Sequence, residues 1–148
     1  MTKLETKVRA LFDAYAKRSD DALQDPPRED VDGVAAAFAP YFVGSSPRGV
    51  MGGANDEQFR AMIPKGFARY HAVGGKHMTI KGLKVTELDH CHAIADVDWD
   101  FAYTNKAGQS GHVTFTNFYF VTTADGAAKV FGYVTPDEEQ AMRDHGLI

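Results

Sequence analysis

At 148 residues, with 44% hydrophobic and 24% charged positions, the chain has the size and make-up of one ordinary domain able to bury its own core. A net charge of −4, with basic residues scattered instead of clustered, argues against a nucleic-acid footprint or attraction to anionic membranes. A single cysteine, Cys91, rules out an intrachain disulfide. MTKLETKVRA has no apolar signal core and no window approaches the ~20 apolar residues of a membrane span, so the expected location is the cytoplasm.

Thr2 followed by Glu5 has the spacing of a capping box, and Leu4, Val8, Leu11, Phe12 and Tyr15 fall on one helical stripe behind it. This predicts a first helix to about Arg18, then a polar loop over 19–30 around a double proline. A short second helix follows, capped by Asp30 or Asp32, anchored by Val34 and Phe38 and stopped by Pro40. Tyr41–Val43 is a brief strand, and the glycine-rich 44–53 is an irregular link lacking the Gly-Lys-Ser/Thr ending of a phosphate loop. Asn55 and Gln58 mark the start of a third helix, interrupted at Pro64 and Gly66 and closed by Gly74 and Gly75.

The period then changes from helical to two. His77–Leu88, Cys91–Thr104, His112–Thr123 and Lys129–Thr135 read as an antiparallel meander, with turns at Asp89–His90, Lys106–Gly111 and Asp125–Gly126. Thr135-Pro136-Asp137-Glu138 combines an N-cap, a proline at the first helical position and an acidic first turn, which predicts a last helix to His145. Within CHAIADVDWDFAYT, Cys91, Ala93, Ala95, Val97, Trp99, Phe101 and Tyr103 share one face, while His92, Asp96, Asp98 and Asp100 share the other. Helices first and long strands later predict an α+β domain with helices on one face of the sheet.

The run Asp30-Val31-Asp32-Gly33-Val34-Ala35-Ala36-Ala37-Phe38-Ala39 resembles the second-helix signature of the nuclear transport factor 2-like superfamily. That superfamily includes SnoaL-like polyketide cyclases, ketosteroid isomerases, scytalone dehydratase and limonene epoxide hydrolase. Element order and length are similar too. The resemblance implies a cystatin-like cone, a curved antiparallel-rich sheet wrapped around N-terminal helices, enclosing an apolar cavity. It also implies a homodimer through the outer sheet face.

Matching to the isomerase branch puts Trp99 and Phe101 on the cavity side, and Asn117 where those isomerases carry an acid that hydrogen-bonds the substrate oxygen. Two departures matter. The isomerase tyrosine of helix one falls at Phe12, leaving Tyr15 as the nearest hydroxyl, and the position of the general base near Val43–Ser46 holds no carboxylate. No arginine lies in residues 77–134 to complete an epoxide-hydrolase site.

Asp96, Asp98 and Asp100 span ~13 Å on a strand, too far to close on one ion, and oppose the Trp99 face, so they read as an outward stripe with Lys81, Lys84 or His112 as partners. His90-Cys91-His92 offers metal-ligand types, yet neighbouring strand residues diverge; no metal and no cofactor are expected. His71 is the one candidate general base, with His77 behind it. Trp99, Phe101 and Tyr103, Phe115 and Tyr119, and Phe131 and Tyr133 form three aromatic groups on successive strands. Rings mixed with hydroxyls and the Asn117 amide suit a small-molecule site. The expected ligand-binding set is Tyr15, Trp99, Phe101, Phe115, Asn117, Tyr119 and Tyr133, for a small hydrophobic or aromatic molecule. Cofactor-independent isomerisation, dehydration or cyclisation is the chemistry this implies; the alternative is a non-catalytic dimeric interaction or ligand-sensing module.

Overall fold

Thr2 starts the first helix, its Oγ1 accepting the Glu5 amide at 3.1 Å in the computed structural model, which describes residues 1–148. The reciprocal half of the box is not made, because the Glu5 carboxylate accepts from Arg9 Nε instead. Helix α1 (Lys3–Asp21) buries Leu4, Val8 and Phe12, a spacing of four that keeps one stripe inward. It lies along strand β3 (Gly75–Glu87). Thr2 Oγ1 donates to Glu87, Arg9 Nη1 donates to the Leu83 carbonyl, and Asp20 accepts the Met78 amide.

Helix α2 (Val31–Ala36) is capped by Asp30, whose Oδ1 accepts the Gly33 amide at 2.9 Å. Here the chain departs from expectation. Phe38 and Pro40 belong to strand β1 (Phe38–Ser46), and the glycine-rich stretch is strand β2 (Gly49–Ala54), paired with β1 as an antiparallel hairpin. Pro40 is tolerated because it sits where the β1–β6 register shifts between Phe38 and Val43, so the ladder asks no N–H of it there. Asn55 does not cap helix α3 (Glu57–Ala72). Its side chain donates to the carbonyls of Ala35 and Phe38, pinning the α2–β1 link, and Asp56 caps α3 by accepting the Phe59 amide. Pro64 is carried inside one continuous α3.

Strands β3, β4 (His92–Thr104) and β5 (Ser110–Thr122) are each 13 residues long and pair antiparallel; β6 (Lys129–Val134) joins β5 and lies parallel to β1. The six strands form one unclosed sheet in the order β2-β1-β6-β5-β4-β3. Ala93, Ala95, Val97, Trp99 and Phe101 are all buried and the aspartates between them are not, as the alternation requires. Asp100 meets His112 Nδ1 at 2.8 Å and Asp98 accepts Thr116 Oγ1 at 2.6 Å, so the acidic stripe is outward and partly paired. Helix α4 (Glu138–Asp144) is capped by Asp137 instead of Thr135, and Met142 anchors it.

The turn after α3 is sterically demanding. Gly74 has φ +91°, and a Cβ there would collide with the Thr104 carbonyl, while the Thr104 amide bonds the Gly74 carbonyl at 2.9 Å. Gly74→Ala is expected to destabilise the protein by about 1–3 kcal/mol or more, since left-handed strain and the clash act together. Urea unfolding of the two proteins measures this, and equal midpoints would show that the turn relaxes freely.

Candidate functional site

Strands β4, β5 and β6, with Phe38 of β1 and Met78 of β3 and with α1, α2 and α3, line a cavity of about 290 Å³, and the start of α4 completes its wall. Fourteen of its nineteen lining residues are hydrophobic, so the polar ones define its chemistry: Ser19, Asn117, Thr135 and Glu138, with the hydroxyls of Tyr15, Tyr70, Tyr119 and Tyr133. Met62 and Gly66 on α3 line it and are also exposed, which places them at the rim.

Six of the seven ligand-binding residues expected from the sequence meet here: Tyr15, Trp99, Phe115, Asn117, Tyr119 and Tyr133. Phe101 does not line the cavity. It faces inward but packs under Tyr70, their centroids 5.5 Å apart, against Gly75. His71 is exposed on α3 outside the lining, and His77 pairs with Asp20. Phe131 leaves its expected partner Tyr133 because the β5–β6 register slips there: Val121 pairs Val130 and Phe120 pairs Gly132, so the extra residue turns outward. Phe131 then packs outside against His92 and Phe120.

Three buried side chains form a small network. Trp99 Nε1 and Asn117 Nδ2 each donate to the Tyr119 hydroxyl oxygen, both at 3.1 Å. Asn117 is only 6% exposed, and its Oδ1 has no partner. Phe12 packs beneath the Tyr119 ring at 4.8 Å, and Tyr15 stands 6.0 Å from Trp99. Burial pushes Tyr119 up to about 12 and raises Tyr15 further, with neighbouring phenols and Glu138 adding to the effect, so both remain O–H donors at neutral pH.

Glu138 is the residue that sequence reasoning missed. It is mostly buried, lines the cavity, and accepts the Tyr70 hydroxyl at 2.6 Å. Burial raises its carboxyl above the ordinary value, opposed by the Tyr70 hydrogen bond and the charge of Arg69. An acidic first turn is reason enough for a glutamate there, which hides its facing. The available signal is phase: Glu138 lies four residues before Met142, the buried anchor of α4, so the two share a face. The next residue, Glu139, turns away and pairs with Arg48, Arg69 and Arg143 at the surface.

The turn expected at Asp89–His90 is present as a bend over 88–91, which takes in Cys91, expected to open the strand. His90 and Cys91 therefore do not diverge as strand neighbours would; with Asp89, their ligand-type atoms lie within 4.8 Å of one another. Hydrogen bonds already occupy the carboxylate. The Cys91 amide and His92 Nδ1 both reach Asp89, and the amide chiefly draws its carboxyl down to about 2.

A curved sheet backed by helices, with an apolar cavity lined by a carboxyl group and several phenols, defines a cone-shaped α+β protein. The chain belongs to the family described as NTF2-like protein (DUF6841), whose model matches residues 5–138. Solved structures agree in fold. Aln2 from a Streptomyces species is 16% identical with a TM-score of 0.69, over 97% of each chain. A ketosteroid isomerase-like protein from Erwinia carotovora atroseptica is 18% identical with a TM-score of 0.58, over 90% of this chain and 92% of that one. An NTF-2 like protein from Shewanella oneidensis is 12% identical with a TM-score of 0.62, over 90% of this chain and 98% of that one. No curated protein matches the chain in sequence. No helix is long and apolar enough to cross a membrane.

The raised carboxyl of Glu138 sets a pH dependence. The folded chain keeps a proton that the unfolded chain releases from about the ordinary value of 4.5 upward, so this group's contribution is present at low pH and lost as pH rises through the folded value. Glu138→Gln removes that loss. Its melting temperature relative to the parent is expected to climb as pH rises from the ordinary value of 4.5 through the raised folded value. A constant difference across that range in thermal denaturation would place Glu138 in water.

Proposed function

We propose that the protein binds a small hydrophobic or aromatic molecule in this cavity and moves a proton on it without a cofactor, as an isomerase, dehydratase or cyclase does. The observation that carries the reading is Glu138: a mostly buried carboxyl with a raised pKa, hydrogen-bonded to Tyr70, facing an otherwise apolar cavity. A carboxyl raised above its ordinary value is a stronger base once ionised, and so better suited to take a proton from carbon than a solvated one. Three phenols, Tyr15, Tyr119 and Tyr133, supply O–H donors for an oxygen on which negative charge develops.

In this reading the bound molecule lies against Trp99 and Phe115 with its oxygen toward the Tyr119 hydroxyl. Glu138 abstracts a proton from a carbon next to the oxygen-bearing carbon, Tyr70 holds the carboxylate oriented, and the same proton is delivered to another carbon. No atom is gained or lost, which is an isomerisation. The exposed Phe118, Phe131 and Val134 on the outer sheet face support a homodimer, expected in the cytoplasm. Sedimentation at micromolar concentration tests the association, and a monomer there would remove the dimer from the proposal.

The proton-transfer step is tested by exchange. The protein is expected to catalyse loss of the protons next to the carbonyl of 2-tetralone into D2O, followed by NMR. Glu138→Gln, with unchanged circular dichroism, should slow this by about 10²–10⁴-fold. Exchange equal to buffer with the parent protein would reject 2-tetralone as a substrate, and equal rates for parent and variant would reject Glu138 as the base.

A further inference from the structure

The polar end of the cavity is short of one specific kind of partner. Tyr119's oxygen already accepts two N–H groups, from Trp99 and from Asn117. Its own O–H has no acceptor in the chain, so it remains free to donate. Beside it, two residues away on the same face of β5, Asn117 Oδ1 has no donor, and it is the one fully buried side-chain nitrogen or oxygen of the protein without a hydrogen bond. Leaving a buried acceptor unpaired is costly, and the cost is recovered by whatever donates to it. The unmet pair is thus one donor and one acceptor side by side.

A ketone oxygen answers the donor alone. An ether also answers only the donor. A hydroxyl answers both, since one oxygen accepts from Tyr119 while its hydrogen goes to Asn117. The walls around this end are flat rings, Tyr15, Trp99 and Phe115, which suit a planar ring bearing that hydroxyl. We propose that the cavity selects a hydroxyl on an sp² carbon, a phenol or the enol form of a cyclic ketone, through the paired Tyr119 O–H and Asn117 Oδ1.

This rests on the reading of the cavity as a ligand site and narrows its substrate class.

Equilibrium dialysis with three probes of similar size separates the possibilities. 2-Naphthol both donates and accepts, 2-methoxynaphthalene only accepts, and 2-methylnaphthalene does neither. The parent protein is expected to hold 2-naphthol at least about tenfold more tightly than 2-methylnaphthalene, with 2-methoxynaphthalene closer to the latter. In Asn117→Leu and in Tyr119→Phe, each checked for fold by circular dichroism, the preference should shrink to about twofold or less. Equal affinity of the parent for all three overturns the hydroxyl assignment while leaving the cavity as a ligand site. A preference that survives in either folded variant does the same, because it then arises elsewhere. No retention of any probe overturns both readings.

Discussion

The register of β4 carries the rest of the structure. Its inner residues grow from Ala93 and Ala95 to Trp99 and Phe101, and a slip of one position would bring Asp96, Asp98 and Asp100 into the core. The taper is matched by α1. The start of that helix lies over the β3 residues paired with Ala93, while Tyr15, farther along, meets Trp99. The far end of the helix still touches the sheet, where Asp20 accepts the Met78 amide. The cavity lies beside Tyr15 and Trp99, roofed by α3 and the first turn of α4.

Inside that space the balance of polar groups is unusual for a simple core. Most buried polar atoms in proteins are paired, and here too Trp99 and the Asn117 amide find Tyr119, while Tyr70 finds Glu138. What is left over is not spread at random. A carboxyl stands at the α4 side and an unpaired acceptor beside a free phenol at the β5 side, with rings between. An apolar core would be more stable without either end, so their presence points to a requirement other than stability.

Much of this is legible in the residues. The period-two alternation of Cys91–Thr104, the meander after Gly75 and the inward Asn117 follow directly from spacing, since a strand admits no other facing. The misses share a cause: each depends on contacts distant in sequence. GSSPRGVMGG looks like a loop because its glycines carry no side-chain signal, yet it holds the end of β1, a turn and most of β2, joined by backbone pairing. Phe131 alternates correctly only if no bulge intervenes. Side chains at 89–91 diverge only in extended backbone, and the bend there reverses how they face one another. Glu138 has an adequate local explanation in the helix dipole, and only its phase with Met142 betrays that it also looks inward.

Trp99 is the chain's only tryptophan, it is 3% exposed, and its indole N–H is held by Tyr119 in the cavity wall. Every quantum of indole emission therefore originates at the site itself. The protein needs no attached label: its colour and intensity when excited at the red edge of indole absorption are a direct record of what stands in the cavity and of whether the Tyr119 bond is intact.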